Sequence, residues 1–178
     1  MWINARIGLY WTSSLLVALV SWRFLVMGVE TAFAGLAHQT ALNPLLFQLH
    51  VITGPIALAL APFQFSARIR QNRPAIHRWL GRFYGVMILL AGTSGLFVGF
   101  DAAGGWPART GFILLSVLWL WTTAKGIQCA RNRQFSEHRE WMIRSAALTF
   151  AGVMLRVWLP LQLIVGIPFE IAYPVVAW

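Results

Sequence analysis

The sequence predicts an all-α fold, a polytopic transmembrane helical bundle of five spans with a possible incomplete sixth segment at the C-terminus. Three observations carry the prediction. Of 178 residues, 58% are hydrophobic and only 11% charged, outside the range of an ordinary soluble domain. The apolar residues gather in five runs, each close to the ~20 residues that cross a roughly 30 Å hydrocarbon layer as a helix. The cations lie mainly between those runs. A net charge of +9 would suggest nucleic acid in a polar chain; here basic loops facing anionic lipid headgroups account for it, and no nucleic-acid partner is expected. The single cysteine, Cys129, excludes an intramolecular disulfide, and without CxxC or Cys/His zinc spacing any bound metal must use histidine.

The first run, about Ile7–Val29, follows Arg6 and precedes the small residues Ala32–Ala34, which resemble a signal-peptide cleavage site. Its length and the interrupting Arg23 favour a retained span, because signal h-regions are shorter and uncharged. The second, about Pro44–Phe65, and the third, about Trp79–Phe100, flank a connection carrying Arg68, Arg70, Arg73 and Arg78, with Arg82 just inside the third. The fourth, about Thr110–Ala130, and the fifth, about Trp141–Ile167, flank Arg131, Arg133, Arg139 and Arg144, with Lys125 just before. By parity both basic connections share one side with Arg6, and Glu30, Asp101 and Glu170 share the other. The positive-inside rule then places the N-terminus and the basic loops in the cytoplasm and the C-terminus outside. Trp79, Trp106 and Trp141 mark interfacial belts, and His38 falls in an outer connection. The tail "IPFEIAYPVVAW" reads as an interfacial segment or the start of a sixth span. Without a long linker or low-complexity tract, residues 1–178 read as one helical domain.

Projection at about 100° per residue shows where the costly groups point. On the third span His77, Gly81, Gly85, Gly92, Gly95 and Gly99 share one face, which lets a backbone or a flat ligand approach closely. Ordinary tight helix packing explains the same stripe. The second span aligns His50, Gly54, Ala57, Ala61, Gln64 and Arg68, leaving Leu58, Leu60 and Phe63 off that face. The fifth aligns His138, Met142, Ser145, Thr149, Gly152 and Arg156. Spans two and five run antiparallel, so the histidine of one lies toward the membrane side of the other's arginine. A charge inside a span costs several kcal/mol unless it faces the protein interior or water, so Arg156 should point inward, toward His50 or the carboxylates Glu30 and Asp101. Arg23, nearer an end, can snorkel to the headgroups. These faces predict a buried polar seam containing Gln64, Ser145, Thr149, Gly152 and Arg156.

"HRWLGRFYG" at His77–Gly85, with "LHVITGPIALALAPFQF" before it and "HREWMIRSAALTFAGVMLRVWLP" after it, resembles a bacterial family of predicted multi-pass membrane proteins catalogued as a domain of unknown function. Its pattern looks like a histidine and "PFQF" on one span, "HR..GR.Y" opening the next, "LWL.TT" on a third, and "H..WMIRS" leading to a late arginine. The resemblance singles out His50, Gln64, His77, Arg78, Gly81, Arg82, Tyr84, His138, Trp141, Met142, Arg144 and Arg156. Relatives continue past a motif like "AYPVVAW" into another helix. The resemblance implies a membrane topology and no agreed reaction.

Three functions fit these residues. A b-type haem needs two neutral imidazoles from facing helices, close glycine approach and cations near the propionates. His77 and His138 are the candidate iron ligands, His50 a ligand for a further site, Gly81 and Gly85 the close-approach positions, and Arg78, Arg82 and Arg144 the cations; quinone is the corresponding electron partner. The second function is a proton or small-anion carrier, with His50, Gln64, Thr149 and Arg156 around a cavity. The third is a non-catalytic subunit or assembly factor of a membrane complex, or a homo-oligomer. The sequence has no Ser/His/Asp set, phosphate-cradling loop or carboxylate pair to support hydrolase or transferase chemistry.

Overall fold

The computed structural model describes residues 2–178, with the side chains of all but residues 2–6, 34, 37 and 38. The side chains of Arg6 and His38 therefore lie outside the described residues. Among the described residues the chain is helical with no strands, as expected where lipid offers no hydrogen bonds to an open backbone.

The first helix, Trp2–Ser21, continues after a turn at Trp22–Arg23 as Phe24–Met27, and the two make one apolar span, Ile7–Met27. It stops at Gly28, whose φ of +79° is costly for a residue with a side chain. Short helices, Val29–Ala32 and Ala37–Leu42, bridge to the second span, Pro44–Gln64. The third is Pro74–Phe100, the fourth Gly105–Arg131 and the fifth Phe135–Ile164. Pro44 and Pro74 open their helices where a missing N–H has no cost. Between them Ser66 caps the helix Ala67–Asn72, accepting from the Ile69 N–H at 3.4 Å.

Each span adjoins the next in sequence, and the fifth returns against the second and first. The main core lies between the second, third and fourth spans, where Ala57, Ala61, Tyr84, Met87, Ile88, Ala91 and Trp119 pack together. Ala18, Leu58 and Val153 join the first, second and fifth. Leu58, expected off the buried face, is 4% exposed; the first span covers that side. Leu25, Val26, Leu45, Leu89 and Ile164 look outward, 59–90% exposed, which suits acyl chains and not water.

The tail forms the helix Phe169–Val176, folded onto the start of the fourth span. The Trp178 indole N–H donates to the Pro107 carbonyl at 2.9 Å, and Tyr173 packs with Ala102 and Ala108. At about 1.5 Å per residue its eight residues span about 12 Å, less than the thickness of a membrane.

Candidate functional site

The third and fifth spans both begin at the end of the bundle that carries the arginine-rich connections, here the basic end, so they run parallel. The residues that face the seam recur every seven positions, two helical turns: the side chains of His77 and Tyr84 and the carbonyl of Ala91 on the third, the side chains of His138 and Ser145 and the carbonyl of Gly152 on the fifth. The two series differ by a constant 61 positions, and the contact Tyr84–Ser145 fixes the register.

At the basic end His77 is part-buried, and its Nδ1 is buried with no hydrogen-bond partner. His138 lies within its electrostatic reach, as do Arg70 and Arg78. The His138 Nδ1–H donates to the Gly126 carbonyl at 2.8 Å; a carbonyl only accepts, so Nδ1 carries a proton and the neutral ring presents Nε2 as a lone pair. The Gln64 Nε2 amide is also buried without a partner, while its Oε1 lies 3.2 Å from where a Cβ on Gly81 would sit. Arg78, Arg82 and Arg144 are exposed at this level. The Arg144 guanidinium sits 4.4 Å from the centre of the Trp141 ring and 4.0 Å from Glu140, an exposed pair worth little energy.

One rung inward a hydrogen-bonded knot joins three spans. The Tyr84 hydroxyl meets Thr149 Oγ1 at 2.9 Å and Ser145 Oγ at 3.3 Å, the Trp119 indole N–H donates to Thr149 Oγ1 at 2.9 Å, and Thr123 Oγ1 meets Ser145 Oγ at 2.7 Å. All five residues are buried. The third rung holds the His50 imidazole and the Arg156 guanidinium. His50 Nδ1–H donates to the Ala91 carbonyl at 2.8 Å, its ring closed in by Gly95, and Arg156 donates from Nη1 to the Gly152 carbonyl at 3.0 Å.

A family model described as "Predicted membrane protein (DUF2306)" matches residues 47–178. The chain belongs to that family. No curated protein and no solved structure matches it. The DUF2306 match takes in the second to fifth spans and the tail, so every rung of the seam lies inside it.

Several expectations need correction in this DUF2306 chain. The glycine face of the third span does not await a flat ligand along its length, because the fourth span fills it. A Cβ at Gly85 would stand 3.0 Å from Ile127, at Gly92 2.7 Å from Leu120, and at Gly99 3.4 Å from Ile113. Arg68 leaves the His50 face, because the second helix ends at Gln64 and Arg68 sits exposed on the next helix. Arg156 does not pair with Asp101, which accepts from the Asn43 amide at 2.7 Å, and Glu30 is exposed. Arg23 is exposed, donates to the Ala32 carbonyl at 2.6 Å and lies over Phe33. Gln64, Ser145 and Thr149 are buried and Gly152 and Arg156 part-buried. The fourth span, which the helical projection left out, supplies Trp119 and Thr123 to the knot. Among the described residues no three His, Cys, Asp or Glu side chains gather as a metal site. Two surface cavities, of about 390 Å³ beside Tyr10, Phe65 and Phe150 and about 500 Å³ beside Ile127, Gln128 and Arg131, lie apart from the histidines.

Proposed function

We propose that this membrane protein is a redox component that holds a b-type haem at its basic end, with His77 and His138 as the iron ligands. The observation that carries this is the buried, unpartnered Nδ1 of His77 within reach of His138. A buried ring nitrogen without a partner is costly, and coordination or a ligand hydrogen bond would relieve it. His138 already has the outer hydrogen bond that ligating histidines commonly make, its Nδ1–H held by the Gly126 carbonyl. Haem bound there supplies a one-electron couple. The chain's own part is to fix the imidazole tautomer and to offer Arg78, Arg82 and Arg144 to the propionates. The fit is confined to the end of the bundle, because Ile127 and Leu120 close the glycine face from Gly85 onward. Quinone is the membrane-soluble partner such a couple would serve. The same reading places the basic end in the cytoplasm of a bacterial inner membrane.

The test is a visible spectrum of the detergent-purified protein, expressed with haem supplied, before and after dithionite. A Soret band and a sharp reduced α-band are expected, lost in His77→Ala and His138→Ala and retained in His50→Ala. A colourless preparation overturns the reading.

A second reading has its own observation, the buried hydroxyls Tyr84, Thr149, Ser145 and Thr123 between two histidine levels, which suit a proton carrier. Proteoliposomes holding a pH dye should then acidify faster with the native chain than with Tyr84→Phe. If both measurements are blank while a stoichiometric partner co-purifies, the non-catalytic subunit is the function.

A further inference from the structure

The third rung holds a guanidinium, Arg156, that no carboxylate among the described residues neutralises. Arg156 stands eight residues from the end of its helix at Ile164, about 12 Å along the axis. His50 stands six from Pro44, about 9 Å. Both are therefore well inside the hydrocarbon layer. The layer formed by Val153, Ala18 and Leu58 turns this side of the fifth span toward the first and second, which brings Arg156 within electrostatic reach of His50 and of Arg23.

The hydrogen bond of the Arg156 guanidinium goes to the Gly152 carbonyl of its own helix, which uses Nη1. Among the described residues no carboxylate lies within 4.0 Å of Arg156 or Arg23, since the ion pair found is Arg144 with Glu140. Asp101 is engaged by Asn43. The His50 ring is fixed by Ala91 behind it and Gly95 beside it, so it cannot swing away from the arginine. A guanidinium placed this deep is costly unless an anion joins it, and its planar fork matches the two oxygens of a carboxylate.

We propose that Arg156, with His50 and Arg23 beside it, binds the carboxylate of an organic acid between the first, second and fifth spans. The acid is either an amphiphile arriving from the bilayer or a small soluble acid arriving from water; both present the same group to the same fork. This site is separate from the histidine pair at the basic end and does not depend on haem.

The full chain is reconstituted in nanodiscs of phosphatidylcholine, which carries no net charge, and titrated with radiolabelled laurate, propionate and lauryl alcohol. Saturable binding of one carboxylate per chain is expected, weakened about tenfold or more in Arg156→Gln and less in Arg156→Lys, which keeps the charge but not the fork. Arg131→Gln, at the exposed basic end, should bind as the native chain does. Binding of laurate alone identifies the bilayer as the source, and binding of both acids identifies water. The proposal is overturned if neither acid binds above the lauryl alcohol background, or if Arg156→Gln binds as well as the native protein. Should Arg156→Gln fail to give a single size-exclusion peak, Arg23→Gln and His50→Asn take its place, and undiminished binding in both is the overturning result. A haem spectrum unchanged in these variants keeps this outcome separate from that of the redox reading.

Discussion

Gly95→Ala should destabilise the bundle while Gly54→Ala, a glycine replacement in the helix opposite, should not. A Cβ at Gly95 would stand 2.7 Å from Nδ1 and 2.8 Å from Cε1 of His50. The ring cannot retreat cheaply, because its Nδ1–H is bonded to the Ala91 carbonyl at 2.8 Å. Overpacking costs about 1–3 kcal/mol, losing the hydrogen bond about 1 kcal/mol, and alanine returns about 0.5–1 kcal/mol of helix propensity. The net is a loss of about 1–3 kcal/mol. At Gly54 a Cβ meets nothing within 4 Å, so only the gain of about 0.5–1 kcal/mol remains. Tryptophan fluorescence during a titration of dodecyl maltoside micelles with SDS measures both. In a double-mutant cycle, adding His50→Ala to Gly95→Ala should cost less than His50→Ala alone, since the clash goes with the ring. Equal stability of Gly95→Ala and Gly54→Ala, or strict additivity in the cycle, would refute the packing of His50 on Gly95.

Tyr84→Phe should cost about 1 kcal/mol in the same titration, since interhelical hydrogen bonds in membranes average ~0.6 kcal/mol and two are lost; a cost above about 3 kcal/mol would mean that the hydroxyl does more than join helices. Burial, partly offset by the neighbouring Gln39, raises the Tyr173 phenol from 10.0 to about 12. Its folded value exceeds its unfolded one, so the stability it contributes is intact below pH ~10 and is lost as pH climbs toward 12. Native protein should therefore lose stability over that interval faster than Tyr173→Phe, and parallel decline of the two would contradict the burial of the phenol. An alkaline phosphatase reporter fused after Arg73 should be silent and one fused after Asp101 active; the reverse pattern would invert the orientation proposed from the positive-inside rule.

The spans were legible because an apolar run near 20 residues long has few other uses, and the second helix starts at Pro44 as expected, while the third starts at Pro74, five residues before the expected Trp79. Boundaries missed where the helix and the hydrocarbon layer end at different places. The fifth helix begins at Phe135, six residues before the apolar run expected at Trp141, because Ser136, Glu137, His138, Arg139 and Glu140 make good helix in water. The seam was legible where a residue has no inexpensive alternative, as with Arg156 and Gln64. It was not legible on the fourth span. Thr122 and Thr123 bond back to the carbonyls of Leu118 and Trp119 one turn earlier, so a threonine in a membrane helix is self-sufficient and its sequence does not announce a partner. Only the packed neighbours show that Thr123 also meets Ser145. The same holds for the glycine face: its alignment followed from spacing, but that Leu120 and Ile127 fill it is a property of the fourth span's register.

That register explains why such different chemistry lies on one line. Two parallel helices repeating every seven residues drift by only ~20° per repeat, so the three levels, spread over about 21 Å of axis, keep nearly the same side of each helix. The constant offset of 61 relates imidazole to imidazole at His77 and His138 and hydroxyl to hydroxyl at Tyr84 and Ser145, while at the third level the Ala91 and Gly152 carbonyls each hold a basic side chain. The middle rung has the most partners and no unpaired hydroxyl among its five members, so it acts as the fixed point. The rungs on either side carry the groups left unsatisfied, the His77 ring nitrogen at one and the uncompensated Arg156 at the other. A one-turn slip of the fifth span would part Tyr84 from Ser145 and move His138 and Arg156 with it, so the Tyr84 knot sets the level of both outer sites. Haem binding and carboxylate binding, measured separately, should therefore weaken together in a Ser145→Val, Thr149→Val double variant, although neither residue touches either ligand.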